Sequence, residues 1–496
     1  MHFQNIARFL KEFEIEHEAF LLKTEVYGWN AWSILKKPLY NQMRIEGIYK
    51  DTVQNNKTWK RALNSFYISY LYIYKLVISS IFKRSNPFFV SFNGNRVDVN
   101  SNEQYINPFI DPLILNSIEP NYLYFESFGR RKKKKGAINY DINNDGKNFP
   151  LILIEKFFIK DIQFKNVAND IHEKLAEFIS KNGYENSIPK LLLFRILKRY
   201  YADYLWQNIL LKVFKPKCIF IVDGIPSGLL GAAKRNGIRV YEFQHGIIGE
   251  NKFEYIVSEK FKELSNKMPY PDYVCVFGEY FKTLLLKSKF WKEEQILVLG
   301  NYSIENRRVN RKINNINLQS NTNLKLLWAT QPSVHKDSCN FLTTLMHLHF
   351  NAVVYIKPHP LEQKENLEKY YQLGIKNPNR IILLDSQNSL LDSLTGKHFL
   401  VSYHSTAILE AAALGFPTIT ISTKQFPCGI NSYLMDDFSD IIKVIENPIQ
   451  LKEFISLFYT DKNKYDFWKS ETEKIGSYFF KDDYFNNIKA FTEPNN

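Results

Sequence analysis

CIFIVDGIPSGLLGAAKRNGIRVYEFQHG, residues Cys218–Gly246, decides the fold class. It opens on a continuous apolar run that ends in Asp223-Gly224. A strand buried on both faces of a parallel sheet reads this way. Small residues with one apolar face follow, and Gly237 supplies a stop, so a helix is predicted. Arg239–Gly246 is the next strand. Strand, helix and strand in this order form a βαβ unit, which requires a parallel sheet.

Working outward, Tyr273–Leu285 and Gln295–Asn301 repeat the pattern of strand, Gly, then helix or loop. Upstream, Asn86–Gly94 (NPFFVSFNG), Tyr122–Ser127 and Leu151–Phe158 (LILIEKFF) are strand candidates. Asn166–Lys181 and Pro189–Phe214 read as long helices, and residues 1–85 as mainly helical. Downstream, Tyr302–Asn323 is polar, rich in Asn and Arg, and has no apolar period, which predicts a linker. A second α/β series follows in Lys325–Thr330, Ala352–Pro360, Arg380–Asp385, His398–Ser405 and Phe416–Ser422. Residues 438–496 return to helical text. The expected class is α/β of GT-B type: two Rossmann-like domains facing a central cleft, with extra N-terminal and C-terminal helices. The expected domains are an N-terminal Rossmann-like domain with a helical extension at 1–305, a linker at 306–323, a C-terminal Rossmann-like domain at 324–480 and a tail at 481–496.

Composition narrows the function. The chain has 496 residues, 45% hydrophobic and 23% charged, which is globular rather than disordered. Four widely spaced cysteines (Cys218, Cys275, Cys339 and Cys428) exclude a disulfide-stapled module and read as reduced thiols in the cytoplasm. The N-terminal residues mix charges throughout, unlike a signal peptide. Phe66–Phe82 is the most apolar stretch, but Lys75 interrupts it and it is short for a membrane span. It is expected to be a buried helix, with an aromatic surface touching lipid headgroups as the alternative. The formal charge of +14 admits nucleic acid, an anionic membrane or an anionic substrate as partner. Arg130–Lys135 (RRKKKK) is the one dense basic run. It has no aromatic interleaving and no nucleic-acid motif, so it reads first as a solvated loop, and nucleic acid is excluded as the partner.

Four signals sit at the ends of predicted strands, where ligands bind in open α/β sheets. Asp223 before Gly224 suits a general base or nucleophile, or simply a helix cap. Gln244-His245-Gly246 ends the next strand, so Asp223 and His245 can lie side by side. Lys357-Pro358-His359-Pro360 presents an imidazole on a stiff turn beside an ammonium, and both suit a nucleotide phosphate. Ser402-Tyr403-His404-Ser405-Thr406 runs into a helix carrying Glu410, with Ala411–Ala413 behind it. Hydroxyls, amide N–H groups and the helix dipole there make an anion site. Glu410 lies one turn from Thr406 and can accept from ribose hydroxyls. The phosphate-loop, dinucleotide-fingerprint and zinc-protease motifs are missing, and His347 and His349 are not spaced as ligands, so metal-independent chemistry without a cofactor is expected.

The segments EFQHGIIGE, Pro271–Lys282, KPHP and SYHSTAILEAAALGFPTI resemble bacterial capsule and surface-polysaccharide glycosyltransferases of GT-B fold. The Asp-Gly, His-Pro and Ser/Thr elements are similar to motifs of sialyl- and polysialyltransferases, and the Kdo and CDP-glycerol polymer transferases share the plan. The match spans about Lys217 to Ser422. Asn93–Leu113, with Asn93 and Arg96, fits the start of an acceptor domain, to which Gln244 also contributes. The resemblance implies a general base in Asp223 on an acceptor-side domain; His245 joins it as a catalytic candidate from its place at the next strand end. The resemblance also implies donor binding by His359, Ser405, Thr406 and Glu410 of a nucleotide-sugar-binding domain, with His359 helping the nucleotide leave; Lys357, Ser402 and His404 join them as donor-side candidates from their strand-end positions. Val222 stands where the sialyltransferase motif has a second acid. The implied activity moves a sugar from a nucleotide donor, with a CMP-sugar as one option, to a growing capsule or lipopolysaccharide glycan. The implied partners are that donor, a glycan or glycolipid acceptor and, peripherally, the anionic inner face of the plasma membrane. The alternatives are a UDP-GlcNAc 2-epimerase type of enzyme and a CDP-glycerol-type polymer transferase.

Overall fold

The computed structural model describes residues 3–48, 59–82, 88–91, 98–99, 105–109, 111–116, 123–126, 142–184, 188–222, 228–249, 252, 255–310, 324–348, 351–359, 362–385, 390–424, 426–434, 442–458 and 461–492. It forms two compact units. One comprises residues 1–276, 285–297 and 488–496; the other comprises 277–284 and 298–487.

The first unit is built on a seven-stranded sheet. Its strands are β1 (Phe88–Ser91), β2 (Leu123–Glu126), β3 (Ile142–Asn143), β4 (Cys218–Val222), β5 (Arg239–Phe243), β6 (Tyr273–Val276) and β7 (Ile296–Val298), in spatial order β7-β6-β5-β4-β1-β2-β3. The pairs β1–β2, β2–β3, β1–β4, β4–β5 and β5–β6 are parallel. Ile219, Ile221 and Val222 of β4 are fully buried, as the apolar run predicted. The helix Gly228–Arg235 packs so closely on Lys190–Phe214 that a Cβ at Gly228 would stand 2.0 Å from the backbone nitrogen of Tyr204. Only glycine fits there. Its N–H is taken by the Asp203 carboxylate at 3.0 Å.

N-terminal helices are present as expected. Phe9 and Phe13 of the helix Phe3–Glu16 pack edge-on against Phe178 of the helix Ile162–Lys181. Two sequence expectations change here. Leu151–Phe158 is not a strand: Asn148–Phe157 is a helix that buries Pro150, Leu151 and Ile154 against the helix Lys190–Phe214. Buried positions three to four apart fix the helical period, which a short apolar run cannot reveal. The helix Trp59–Phe82 is only half buried. Ser69, Tyr72 and Leu76 face inward, while Tyr67, Tyr70, Tyr74 and Val77 are exposed.

The second unit holds a six-stranded sheet of β8 (Leu324–Ala329), β9 (Ala352–Lys357), β10 (Ile381–Leu383), β11 (Phe399–Ser402), β12 (Thr418–Ile421) and β13 (Lys443–Ile445). The order is β10-β9-β8-β11-β12-β13, and every pair is parallel. In chain order this is 3-2-1-4-5-6, the Rossmann arrangement. Leu326, Trp328, Val354, Ile356, Val401 and Ile419 form the centre of its core. β13 falls within text expected to be helical. Residues Tyr302–Asn310 also depart from expectation, forming a helix where a linker was read. Arg308 of that helix donates through Nε and Nη2 to the Ala413 carbonyl at 3.2 and 3.1 Å. It thereby satisfies the C-terminal end of the helix Thr406–Ala413 with a cation. Each unit supplies one parallel sheet, so the fold class is GT-B-like α/β, as the sequence indicated.

Candidate functional site

The strand order of the second sheet reverses between β8 and β11. Ligands of open parallel sheets bind outside the strand carboxyl ends at such a point. The pairing Trp328↔Val401 brings the two strand ends level, so the turns after Ala329 and Ser402 emerge side by side. β9 lies directly beside β8, and its own turn begins at Pro358. Three loops therefore meet at one place, carrying Thr330 and Ser333, His359, and His404 and Ser405.

Thr330 ties two of these loops together. Its N–H donates to the Lys357 carbonyl at 3.1 Å. Its hydroxyl accepts the His359 N–H at 3.1 Å and donates to Glu362 Oε2 at 2.9 Å. Glu362 in turn donates its N–H to the His359 carbonyl at 2.9 Å, and Asn366 Nδ2 donates to Glu362 Oε1 at 2.8 Å. The backbone on either side of the His359 imidazole is thus held by bonds from both neighbouring segments. Lys357 lies beneath this turn, 3% exposed, with its ammonium donating to the Pro358 carbonyl at 3.0 Å. Burial pulls its pKa down to about 8, opposed by the Asp385 carboxylate.

His404 is set by stacking. Its ring lies 3.9 Å from that of Phe426, with the planes 25° apart, and Nε2 is 3.3 Å from Ser333 Oγ. Burial lowers its pKa to about 4, with the charge of His359 as a second cause. His404 is therefore neutral at physiological pH, and His359 is near enough to be felt electrostatically. Ser405 is the N-cap of the helix Thr406–Ala413, its Oγ accepting the Ala407 N–H at 3.3 Å. Its own hydroxyl proton stays available for an anion. Thr406 and Glu410 are both half-buried and stand one helical turn apart.

Ser402 requires a correction. Its side chain is fully buried, and its hydroxyl donates to the Ala329 carbonyl at 2.8 Å. It clasps β11 to β8 and does not face a ligand. The small residues Ala411–Ala413 do more than fit the helix to the sheet. They meet the helix Lys462–Phe479, where a Cβ on Gly476 would lie 2.3 Å from Ala413 Cα.

The first sheet reverses between β1 and β4, and Ser91 and Val222 pair at that point. Asn93, Arg96 and Asp223 follow these strand ends in sequence, and they lie outside the described residues, as does the Arg130–Lys135 run. Val222 pairs with Phe243, so the strand ends preceding Asp223 and Gln244 are neighbours, as expected. Gln244 is buried. It donates its N–H to Cys275 at 2.9 Å and Nε2 to the Gly246 carbonyl at 2.8 Å, so it shapes the turn that carries half-buried His245.

Thr330, Ser333, Glu362 and Phe426 were not singled out from sequence. The signal was present in Trp328-Ala329-Thr330-Gln331-Pro332-Ser333, a strand running into hydroxyls as at Ser402–Thr406. Among the described residues, no group of three or more His, Cys, Asp or Glu side chains is placed to hold a metal ion.

No protein-family model matches the chain, and no curated protein matches it. Solved structures do show similarity. A co-structure of S. aureus MnaA with UDP is 12% identical over 82% of this chain and 94% of the other, at TM-score 0.46. The UDP-GlcNAc 2-epimerase of Neisseria meningitidis bound to UDP-GlcNAc is 14% identical over 79% and 96%, at TM-score 0.44. A variant of the wall teichoic acid polymerase TagF is 13% identical over 87% and 97%, at TM-score 0.45. The fold class of the chain itself rests on its own two parallel sheets.

Proposed function

We propose that this protein is a metal-independent glycosyltransferase that moves a sugar from a nucleotide-sugar donor, a CMP-sugar being one option, to a growing capsule or lipopolysaccharide glycan. The observation that carries this reading is the convergence of His359, His404, Ser405 and Thr330 at the switch point of the second sheet.

The donor phosphate would sit at the start of the helix Thr406–Ala413, where Ser405 and Thr406 hydroxyls and the dipole favour an anion. His359, held by Thr330 and Glu362, would donate to a phosphate oxygen as the sugar–phosphate bond breaks. Lys357 would add positive potential from below the turn without leaving its buried place. Neutral His404, fixed by Phe426, would serve as a hydrogen-bond partner of the nucleotide, and Glu410 would accept from ribose hydroxyls. On the acceptor side Asp223 would take the hydroxyl proton as the new C–O bond forms, supported by His245 from the turn after the neighbouring strand, with Asn93 and Arg96 binding the glycan. The location we propose is cytoplasmic, with peripheral contact at the inner face of the plasma membrane.

Transfer or donor hydrolysis should fall at least ~100-fold in His359→Ala while the melting temperature is retained, as expected for loss of a group acting on the leaving phosphate. Equal rates in the two proteins would remove His359 from the mechanism. Incubation with UDP-GlcNAc and no acceptor discriminates the epimerase reading: a C2 epimer among the products would replace the proposal.

A further inference from the structure

The first unit carries an apolar surface that the proposed chemistry does not use. The helix Trp59–Phe82 turns Ser69, Tyr72 and Leu76 inward, where Tyr72 accepts a hydrogen bond from Trp206 Nε1 at 3.0 Å. The helix Asn148–Phe157 packs Leu151 and Ile154 against Ala202 on the same supporting helix, Lys190–Phe214. The two helices also touch each other. Each leaves its opposite side uncovered among the described residues. On the first, Tyr67, Tyr70, Tyr74 and Val77 are 53–59% exposed. On the second and just beyond it, Ile152, Phe157, Phe158 and Ile162 are 54–76% exposed.

Single exposed apolar residues are ordinary, but a concentration of this size on two adjoining helices marks an interaction surface. Its chemistry selects the partner. Tyr70 and Tyr74 stack at 6.4 Å on the outward side. Tyrosine rings with an apolar body and a polar tip suit the headgroup level of a bilayer. The sequence of the helix Trp59–Phe82 contains Lys75 and no carboxylate. Lys156 and Lys160 are exposed beside Phe157 and Phe158, and Lys156 Nζ lies 5.3 Å from the Phe157 ring. Aromatic and aliphatic residues flanked by lysines match an anionic lipid surface, with rings in the interface and ammonium groups at the phosphates. Among the described residues no helix is long and apolar enough to cross a membrane, so contact would be from one side.

We propose that the outward faces of Trp59–Phe82 and Asn148–Phe157 form a monotopic docking surface for anionic phospholipid. This differs from a hold through Arg130–Lys135, and it stands independently of the donor site. The test is co-sedimentation of the full chain with vesicles of phosphatidylcholine alone and of phosphatidylcholine with phosphatidylglycerol. Wild type should bind the anionic vesicles, more weakly in high salt. The pair Val77→Asp and Phe157→Asp should lower partitioning about tenfold or more, because both burial of apolar area and charge attraction are lost. Both sites are exposed, and an unchanged melting temperature shows the fold is intact. Equal sedimentation of wild type and the double variant would overturn the proposal. So would loss of binding only when residues 130–135 are neutralised. A wild-type dimer in solution that the double variant converts to monomer, with no vesicle binding by either, would assign the surface to a second copy instead.

Discussion

At the residue scale, the turn around His359 depends on two side chains, Thr330 from a distant loop and Glu362 from the turn's own far side. Thr330 and Glu362 form one hydrogen-bonded unit with it, so their separate effects should not add. Thr330→Val is expected to lower transfer while leaving global stability within about 2 kcal/mol, since one partly buried hydrogen-bond hub is lost. Single-turnover kinetics combined with denaturant titration separates the two effects. Ser402→Ala should behave in the opposite way. It leaves the Ala329 carbonyl without the hydroxyl that clasps the strands, costing about 1–2 kcal/mol of stability, and should not alter nucleotide recognition directly. Lys357 adds a pH signature. Its folded pKa of about 8 lies below the ordinary 10.5. A bound phosphate would raise that pKa, so nucleotide affinity should weaken as pH rises through 8. Calorimetric titration between pH 7 and 9 checks this, and a flat profile would count against any electrostatic contribution from Lys357. These roles were only partly legible. Strand-tip histidines and hydroxyls stand out in the text. That Ser402 points into the sheet while Thr330 joins two loops follows from pairing between segments about 30 to 70 residues apart, which no local pattern encodes.

At the element scale, the helix Thr406–Ala413 is positioned by three devices: the Ser405 cap, the Arg308 guanidinium on its last carbonyl, and close approach to Gly476. Gly476→Leu has no room for its side chain, because a Cβ already meets Ala413 backbone atoms at 2.3 Å. It should destabilise by roughly 3 kcal/mol or more and disturb nucleotide binding through the shifted helix. Thermal unfolding together with ligand titration would report both effects. The strands were readable because parallel strands are apolar on both faces, and Cys218–Val222, Ala352–Lys357 and Phe399–Ser402 all appear as such runs. Leu151–Phe158 was misread for the same reason: a run of that length satisfies a buried strand and a helix face equally. Lys443–Ile445 was missed because three residues at a sheet edge carry too little pattern. The helix Tyr302–Asn310 was missed because only Tyr302 and Ile304 anchor it in apolar surroundings, too few to show a period, and much of the rest of its support is polar. Arg307 pairs with Asp392 at 3.2 Å, and Arg308 reaches Ala413.

For the whole molecule, part of the acid response follows from two histidines of the second unit, buried His398 and half-buried His404. His398 accepts the Lys325 N–H through Nδ1 at 2.9 Å, and burial lowers its pKa to about 4, as it does for His404. In the unfolded chain both return toward 6.5, so between pH 4 and 6.5 the unfolded state binds more protons. Stability must therefore rise with pH across that window and fall on acidification, His398 alone contributing on the order of 3 kcal/mol for a shift of this size. Urea midpoints at pH 4.5 and 7 measure the difference. The +14 charge has two proposed uses, at the phosphate site proposed for the second unit and at the lysine-flanked apolar face proposed to dock on lipid. The central claim is that the switch point of the second sheet binds a nucleotide. Thermal melting with CMP, CDP, UDP and GDP over rising concentration tests it most directly. A nucleotide at 100 times its dissociation constant stabilises the folded state by about 2.7 kcal/mol. The account predicts a concentration-dependent upward shift with at least one of the four that is reduced in His359→Ala. No shift with any of them, or an equal shift in both proteins, would contradict it.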